Sequence, residues 1–261
     1  MLAAGCGAGA AEREAPAPQP AVGLIGHRGA SRDAPENTIA AVDLAFAQGA
    51  HGVEIDVWLS RDDEVIVFHD ETTERFGGSD APVASQTLAE LRALDVGDGQ
   101  RIPRLADVLA RVPEGRTLFV EIKSGVDTVD AVIDVVEAHH PRARGGDVAY
   151  EGFDLEVMRA VRARAPRVAV YWVVGARRDP DTRALLPHPP KLAAVAAQHR
   201  MTGVAVDYRG VDDAFRAAVA AAGIELYVWT VDDPGEVRRM RDAGARWIET
   251  NVPAAAAGAL Q

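Results

Sequence analysis

The stretch that decides the fold reads VGLIGHRGASRDAPENTIAAVDLAFAQGAHGVEIDVWL and spans residues 22–59. An apolar run at residues 22–27 is followed by a helical run at about 37–48 and by a second apolar run at 52–59. Two apolar runs that flank one helical run are typical of parallel strands joined by a crossover helix. The sequence therefore predicts a β-α-β unit here.

The same alternation of apolar and amphipathic runs continues to the end of the chain. Six further strands are predicted at residues 117–123, 147–151, 167–174, 203–207, 225–230 and 245–249. The helical runs around them lie near residues 105–111, 128–139, 155–164, 192–199, 212–222, 234–243 and 253–260. Eight strand–helix units in 261 residues favour a closed (β/α)8 TIM barrel, an α/β fold of about 250 residues, over an open doubly wound sheet.

One insertion interrupts this pattern after the second strand. A short apolar run at residues 64–69 follows that strand closely, and the irregular stretch of about residues 70–103 holds one short helix near 88–93. We therefore divide the chain into a tail at residues 1–20 and one barrel domain at residues 21–261 that carries this small insertion.

The charge of the chain limits the partners it can bind. The formal net charge is −11 at pH 7, and the sequence pI is about 5.1. Nucleic acids select basic surfaces, so we expect no nucleic-acid partner. A small anionic substrate remains compatible with this charge, because a metal ion or a few Arg and Lys side chains can make one cleft positive.

The N-terminal tail carries the single cysteine, Cys6, so an internal disulfide is excluded. Residues 2–6, LAAGC, resemble the end of a bacterial lipoprotein signal, although the charged start and the apolar run of such signals are missing. Two interpretations stay open. The tail is a tether for a lipid-anchored protein outside the cytoplasm, or it is a flexible segment with a chance cysteine on a cytoplasmic protein.

Carboxylate side chains end two neighbouring strands of the predicted barrel. Glu54 and Asp56 are two residues apart on one strand, so both side chains point the same way, and Glu121 ends the next strand. Catalytic residues of such barrels lie at the carboxyl ends of the strands. Three carboxylates without clustered cysteine or histidine favour a hard cation, Mg²⁺ or Ca²⁺. The alternative is a solvated cluster of charges.

Two histidines, His27 and His69, also lie at predicted strand ends. Their pKa near neutrality suits one as a proton acceptor and the other as a proton donor, although a lone histidine is more often structural. Arg28 and Lys123 add positive charge that suits a phosphate group or merely neutralises the carboxylates. Asp70 either orients the His69 imidazole or begins the next turn.

Several motifs resemble, in order and spacing, the glycerophosphodiester phosphodiesterases. They are GHRGA at 26–30, PENT at 35–38, GVEIDV at 52–57, VFHD at 67–70, IPRL at 102–105, VEIK at 120–123, GFD at 152–154 and VWTVD at 228–232. The likeness extends from about residue 22 to residue 253 and is weakest at residues 172–198.

The resemblance implies a TIM barrel with a small insertion and hydrolysis of glycerophosphodiesters to an alcohol and sn-glycerol 3-phosphate. It implies that Glu54, Asp56 and Glu121 hold one divalent cation, Ca²⁺ or Mg²⁺. It also implies that His27 and His69 are the general acid and base. Which histidine has which role, and whether water or the glycerol 2-hydroxyl is the nucleophile, stays open.

The resemblance also implies the substrate contacts. Arg28, Glu36 and Lys123 would line the phosphate site, and Phe153 and Trp229 would form an apolar wall near the glycerol or the leaving group. One departure is TNVP at residues 250–253, where the family usually has Thr-Asp-x-Pro, and we interpret it as a change at the rim.

Two alternative functions follow from the same residues. A lysophospholipase D would need a larger apolar entrance, and the short, polar insertion favours a water-soluble substrate instead. A non-catalytic lipoprotein that binds phosphodiesters would not need both histidines and all three carboxylates.

Overall fold

The computed structural model describes residues 21–140 and 147–261. In chain order its elements are β1 (Gly23–Gly26), α1 (Ile39–Ala47), β2 (Gly52–Leu59), β3 (Val65–Val67), α2 (Leu88–Ala93), α3 (Leu105–Leu109), β4 (Thr117–Ile122), α4 (Val129–His139), β5 (Val148–Gly152), α5 (Leu155–Arg164), β6 (Ala169–Val174), β7 (Arg177–Arg178), β8 (Leu185–Leu186), α6 (Lys191–Gln198), β9 (Gly203–Asp207), α7 (Asp213–Ala222), β10 (Glu225–Trp229), α8 (Pro234–Asp242), β11 (Trp247–Thr250) and α9 (Pro253–Leu260).

Eight parallel strands of the described chain close into a barrel with helices between them. Around the barrel the order is β1, β11, β10, β9, β6, β5, β4 and β2, and β2 pairs with β1 to close the ring. The closing register joins Ile25 to Gly52 and Gly26 to Val53. The predicted (β/α)8 TIM barrel is confirmed.

The barrel interior has two layers, because side chains on one strand face repeat every two residues. The lower layer is an apolar cluster that includes Phe119, Ala149 and Trp247. Two residues further along the same strands come Glu121, Glu151 and Glu249, all of which are buried. An aromatic floor therefore lies under a ring of carboxyl groups at the carboxyl ends of the strands.

The insertion after the second strand is present as predicted. Strand β3 pairs antiparallel with β2, and the following segment packs on a small apolar cluster of its own that includes Ile66, Phe68 and Leu91. Helix α2 begins at a capping box in which Thr87 and Glu90 satisfy each other's backbone N–H groups. The insertion is thus an ordered extension of the barrel beside its catalytic end.

The prediction missed one small feature, the hairpin of β7 and β8, which pair antiparallel over two residues each. Strands this short leave no alternation of apolar and polar residues to detect. Cys6 and the predicted tail at residues 1–20 lie outside the described residues. Within the described ranges, no helix combines the length and apolar character needed to cross a membrane.

Candidate active site

A cavity of about 220 Å³ opens at the carboxyl ends of the barrel strands. Its walls are formed by His27, Arg28, His69, Glu121, Lys123, Glu151, Phe153, Val173, Trp229, Thr230 and Glu249. Most residues that the sequence predicted for the site therefore meet at this one cavity. Glu54 and Asp56 lie beside it, fully buried.

The three predicted metal ligands lie together. One oxygen atom from each of Glu54, Asp56 and Glu121 lies within 4.8 Å of the others. Burial and the neighbouring Asp56 raise the pKa of Glu121 to about 7 and raise that of Glu54 well above its usual value. Burial also opposes ionisation of Asp56, but Lys123 and Arg28 outweigh it and lower the pKa of that carboxyl. Ionising all three therefore requires further positive charge.

The side chains around Asp56 hold this carboxylate in place. The Lys123 Nζ lies 3.2 Å from Asp56 Oδ1 and 2.9 Å from Glu121 Oε1. The Arg28 Nε lies 3.2 Å from Asp56 Oδ2, and the Asn37 amide donates to the same oxygen at 2.8 Å. Asp56 and Glu121 thus each have a cationic side chain at ion-pair distance, whereas Glu54 has none among the described residues.

The donor set fits a hard divalent cation. The Glu54 Oε2 accepts a hydrogen bond from the Arg28 backbone N–H at 2.9 Å, but its Oε1 is buried without a partner. A buried carboxylate oxygen without a donor is costly, and a cation would satisfy it. Three converging carboxylates are the oxygen donors that Mg²⁺ and Ca²⁺ prefer. The residues present therefore fit the predicted type of metal.

The loop after β1 places Arg28 at this site through a sharp turn. Arg28 has a positive φ of 54° and the following Gly29 has a φ of 85°. A side chain at Gly29 would also meet the Ala41 backbone at 2.4 Å, so only glycine fits there. The PENT motif then starts helix α1, because the Thr38 hydroxyl accepts from the Ala41 N–H.

His27 is held in a defined orientation. Its Nδ1 lies 2.7 Å from Asn251 Oδ1, and the Asn251 amide nitrogen donates to Asp232 Oδ2 at 2.8 Å. Because the amide nitrogen is engaged with Asp232, Asn251 presents its oxygen to His27, so Nδ1 carries the proton. Burial and the adjacent Arg28 lower the pKa of His27 to about 4. The imidazole is therefore neutral, and its Nε2 lies 3.5 Å from Glu249 Oε1.

His69 is held by a carboxylate. Its Nδ1 lies 2.8 Å from Asp70 Oδ1, which is the orienting role considered for Asp70 in the sequence. Arg75 in turn donates to Asp70 Oδ2 at 2.6 Å and to Glu36 Oε1 at 2.5 Å. Sequence reasoning missed Arg75, which sits in the insertion and has no periodic neighbours to mark it.

Glu36 lies behind the phosphate-binding side chains. It accepts from Arg28 at 3.3 Å and from Arg75 at 2.5 Å, and it is not among the residues that line the cavity. A carboxylate also repels a phosphate anion, so Glu36 acts on this site by holding Arg28. Glu36 was predicted to line the phosphate site, and its contacts place it behind Arg28 instead.

Phe153 and Trp229, which were predicted to form an apolar wall beside the substrate, lie next to each other at the cavity. The rings of Phe153 and Trp229 meet edge to face with centroids 5.9 Å apart. Phe153 is 49% exposed, which is unusual for a large apolar side chain and puts its ring at the mouth of the cavity. The Lys123 Nζ lies 5.8 Å from the Phe153 ring centroid.

Comparison with known proteins identifies the family. Residues 27–255 match the glycerophosphoryl diester phosphodiesterase family. The chain belongs to this family. The predicted family and the predicted class of enzyme, a phosphoric diester hydrolase, are confirmed.

Relatives of this phosphodiesterase family cover nearly the whole domain. A glycerophosphodiester phosphodiesterase of Caldanaerobacter subterraneus subsp. tengcongensis is 30% identical over 88% of this chain and 94% of its own length. The structure of one from Agrobacterium tumefaciens is 28% identical, with a TM-score of 0.74 over 90% of this chain and 99% of that one. The structure of an Oleispira antarctica phosphodiesterase in complex with the product sn-glycerol-3-phosphate is 25% identical, with a TM-score of 0.79 over 91% and 96%.

Two carboxyl groups of this phosphodiesterase were not predicted as site residues. Glu151 and Glu249 line the cavity, and the Tyr227 hydroxyl donates to Glu249. Burial, partly offset by Tyr227, raises the pKa of Glu249 to about 8, and burial together with Glu249 raises that of Glu151 well above its ordinary value. Their spacing in the sequence could have indicated them. Glu151 follows the buried Ala149 by two residues, and Glu249 follows the buried Trp247 by two residues.

The departure at residues 250–253 is not confined to the rim. Asn251 lies against the catalytic face, because its side-chain oxygen is 2.7 Å from His27. The change from aspartate to asparagine removes a charge next to this imidazole. Its hydrogen bond to Asp232 keeps the asparagine in the orientation that His27 requires.

Proposed function

We propose that the protein hydrolyses glycerophosphodiesters to an alcohol and sn-glycerol 3-phosphate, with a divalent cation held by Glu54, Asp56 and Glu121. The observation that carries this proposal is the meeting of three carboxylates and two histidines at one cavity, in a chain of the phosphodiesterase family. The product complex of the related Oleispira antarctica enzyme supports the choice of substrate.

Positive charge at the cavity would bind the phosphate. Arg28 and Lys123 both line it and are fixed by ion pairs to Asp56. When bound, the divalent cation supplies further stabilisation of the charge on the non-bridging phosphate oxygens. Arg28 suits such oxygens because its planar guanidinium can donate two parallel hydrogen bonds.

The two histidines would divide proton transfer between them. His27 is neutral and its Nδ1 is bonded to Asn251, so its Nε2 would accept the proton of the attacking hydroxyl, which belongs to water or to the glycerol 2-hydroxyl. His69 is oriented by the Asp70 carboxylate through its Nδ1, and we assign to it the donation of a proton to the leaving alkoxide. With water as the nucleophile, one P–O bond forms and another breaks, and the products are the neutral alcohol and sn-glycerol 3-phosphate. With the glycerol 2-hydroxyl as the nucleophile, the same step releases the alcohol and forms a cyclic phosphate, which water then opens to sn-glycerol 3-phosphate.

A substrate panel tests this function. The protein is incubated with Ca²⁺ or Mg²⁺ and with glycerophosphocholine, glycerophosphoglycerol or lysophosphatidylcholine, and the products are followed by ³¹P NMR. We expect sn-glycerol 3-phosphate from the first two substrates. Turnover of lysophosphatidylcholine alone would indicate a lysophospholipase D, and binding without turnover would indicate a phosphodiester-binding protein.

The location of the protein is a separate proposal. The LAAGC sequence at residues 2–6 is compatible with a lipid anchor on Cys6, and hence a place at the membrane outside the cytoplasm, and equally with a chance cysteine on a cytoplasmic protein. Mass spectrometry of the native N-terminal peptide tests this. A mass increase that matches acyl groups on Cys6 supports the anchor, and an unmodified Cys6 contradicts it.

A further inference from the structure

The residues around the cavity differ between the two halves of the barrel. The neighbouring strands β1, β2 and β4 end in the proposed cation site, the catalytic His27 and the positive side chains. The strands β5, β6 and β10 contribute Glu151, Phe153, Val173 and Trp229 to the same cavity. The first half thus suits a phosphate group. The mechanism above assigns no role to the side chains of the second half.

Glu151 is the ionisable group of this second half, and the buried indole nitrogen of Trp229 is a second polar group there without a hydrogen-bond partner among the described residues. Glu151 is 3% exposed, and its Oε2 is buried without a hydrogen-bond partner. Its neighbours include the carboxyl groups of Glu249, Glu121 and Asp56. A hydrogen bond with Tyr227 only partly opposes the rise in the pKa of Glu151 that burial and these groups cause. A buried carboxyl oxygen without a donor is costly unless a ligand supplies that donor.

The neighbours of Glu151 restrict the kind of ligand. Glu151 is not among the residues whose oxygens converge closely enough to share a cation, which disfavours a second metal site. Phe153 and Trp229 line the same cavity and offer apolar ring surfaces. An acceptor oxygen beside aromatic rings suits a polyol, since hydroxyl groups donate to the oxygen while the carbon backbone packs on the rings.

We propose that Glu151, with Phe153 and Trp229, forms the subsite for the free hydroxyl groups of the glycerol part of the substrate. This inference rests on the proposed function and adds a determinant of its specificity. The phosphate would lie at Arg28 and Lys123, and the glycerol would extend from it across the cavity toward β5. A volume of about 220 Å³ leaves room for both groups.

Binding of two phosphate monoesters to the cation-loaded protein tests the subsite. sn-Glycerol 3-phosphate and propyl phosphate have the same phosphate group and the same number of carbons, but propyl phosphate lacks both hydroxyls. By calorimetry we expect the wild type to bind sn-glycerol 3-phosphate about tenfold more tightly. Equal affinity of the wild type for the two ligands would overturn the subsite without the need for any variant.

Variants of Glu151 then test whether this residue causes the preference for sn-glycerol 3-phosphate over propyl phosphate. Glu151→Leu should lose most of the preference while its affinity for propyl phosphate stays unchanged, and Glu151→Gln, which keeps an acceptor oxygen, should lose less. The matched control is Glu225→Gln, because Glu225 is a glutamate that accepts from Tyr171 and begins β10 at the opposite end of the barrel. A Glu151→Leu protein that keeps the full preference would overturn the assignment.

Turnover of glycerophosphocholine is measured on the same samples. A wild type that turns it over but shows no preference for sn-glycerol 3-phosphate contradicts the subsite alone. A wild type that neither turns it over nor binds either monoester contradicts the proposed function. The two failures are therefore distinguishable.

Discussion

Glu54 and Glu121 are buried carboxyl groups that the chain does not fully neutralise. Burial, together with Asp56, raises the pKa of both, and that of Glu121 reaches about 7. A cation binds the ionised carboxylates, so it competes with the protons that these groups retain near neutrality. At the scale of single residues, metal binding and proton release are thus coupled.

This coupling gives a pH dependence of metal affinity. We expect the affinity for Ca²⁺ or Mg²⁺ to rise up to about tenfold per pH unit as pH increases through the raised pKa of Glu121, because protons must leave before the cation binds. Calorimetric titration across this range measures it. Glu121→Gln should bind more weakly and with a shallower pH dependence, and a wild-type affinity that does not change with pH would contradict the coupling.

Glu249 should make the metal-free protein less stable in alkaline solution. Its pKa is raised from 4.5 to about 8 by burial, so the folded state holds this proton more tightly than the unfolded chain does. Ionisation therefore costs stability as pH rises from about 4.5 to about 8. In chelator, Glu249→Gln should raise Tm relative to the wild type by several degrees at about pH 9 and by little at about pH 5. An equal Tm difference at both pH values would refute this effect.

The catalytic histidines should be separable from the metal site. His27→Ala and His69→Ala should each lower kcat by about 10²–10⁴ while calorimetry shows nearly unchanged cation affinity, because the proposed ligands are the three carboxylates. A large loss of cation affinity in His27→Ala would contradict this ligand set, since a His27 ring nitrogen also lies within 4.8 Å of oxygens of Glu54 and Glu249. His139→Ala is the matched control, since His139 is exposed on α4 and contacts only the Val135 carbonyl in the described structure. Full activity of either catalytic variant would disprove the assignment for that residue.

At the scale of elements, the insertion contributes to the site as well as covering the barrel. Arg75 reaches from it to Asp70, which holds His69, and to Glu36, which holds Arg28. This one side chain therefore connects the loop that carries His69 to the loop that carries Arg28. It is also packed over the Phe76 ring at 4.5 Å, which fixes its position.

Removal of this connection should reduce turnover without abolishing it. Arg75→Ala should lower kcat about tenfold through misplacement of His69, with little change in cation affinity. Arg61→Ala is the control, because Arg61 pairs with Glu90 in the same insertion and does not line the cavity. If both variants were equally active, Arg75 would have no positioning role.

The sequence predicted the regular elements well for a physical reason. The strands of the barrel and their helices are long enough for the two-residue and helical periodicities to appear, and each predicted strand is present. The contacts of Arg75 and Asn251 could not be predicted, because they join loops far apart in the chain. Glu151 and Glu249 could have been found, since they follow the same spacing as Glu121.

At the scale of the whole molecule, barrel closure brings the site together. The motifs of the site come from residues spread between positions 27 and 251, and they meet because all barrel strands are parallel and end at one face. The aromatic floor below them places apolar side chains against the buried carboxyl groups of the site. The family resemblance, rather than this geometry, narrowed the substrate to a glycerol phosphodiester.

The most direct test of the central claim is the turnover of glycerophosphocholine by the wild-type protein, measured after exhaustive chelation and again after addition of Ca²⁺ or Mg²⁺. If Glu54, Asp56 and Glu121 hold an essential cation, chelation should lower the release of sn-glycerol 3-phosphate by about a hundredfold or more, and one of the two ions should restore it. Full turnover in the presence of the chelator would contradict the account.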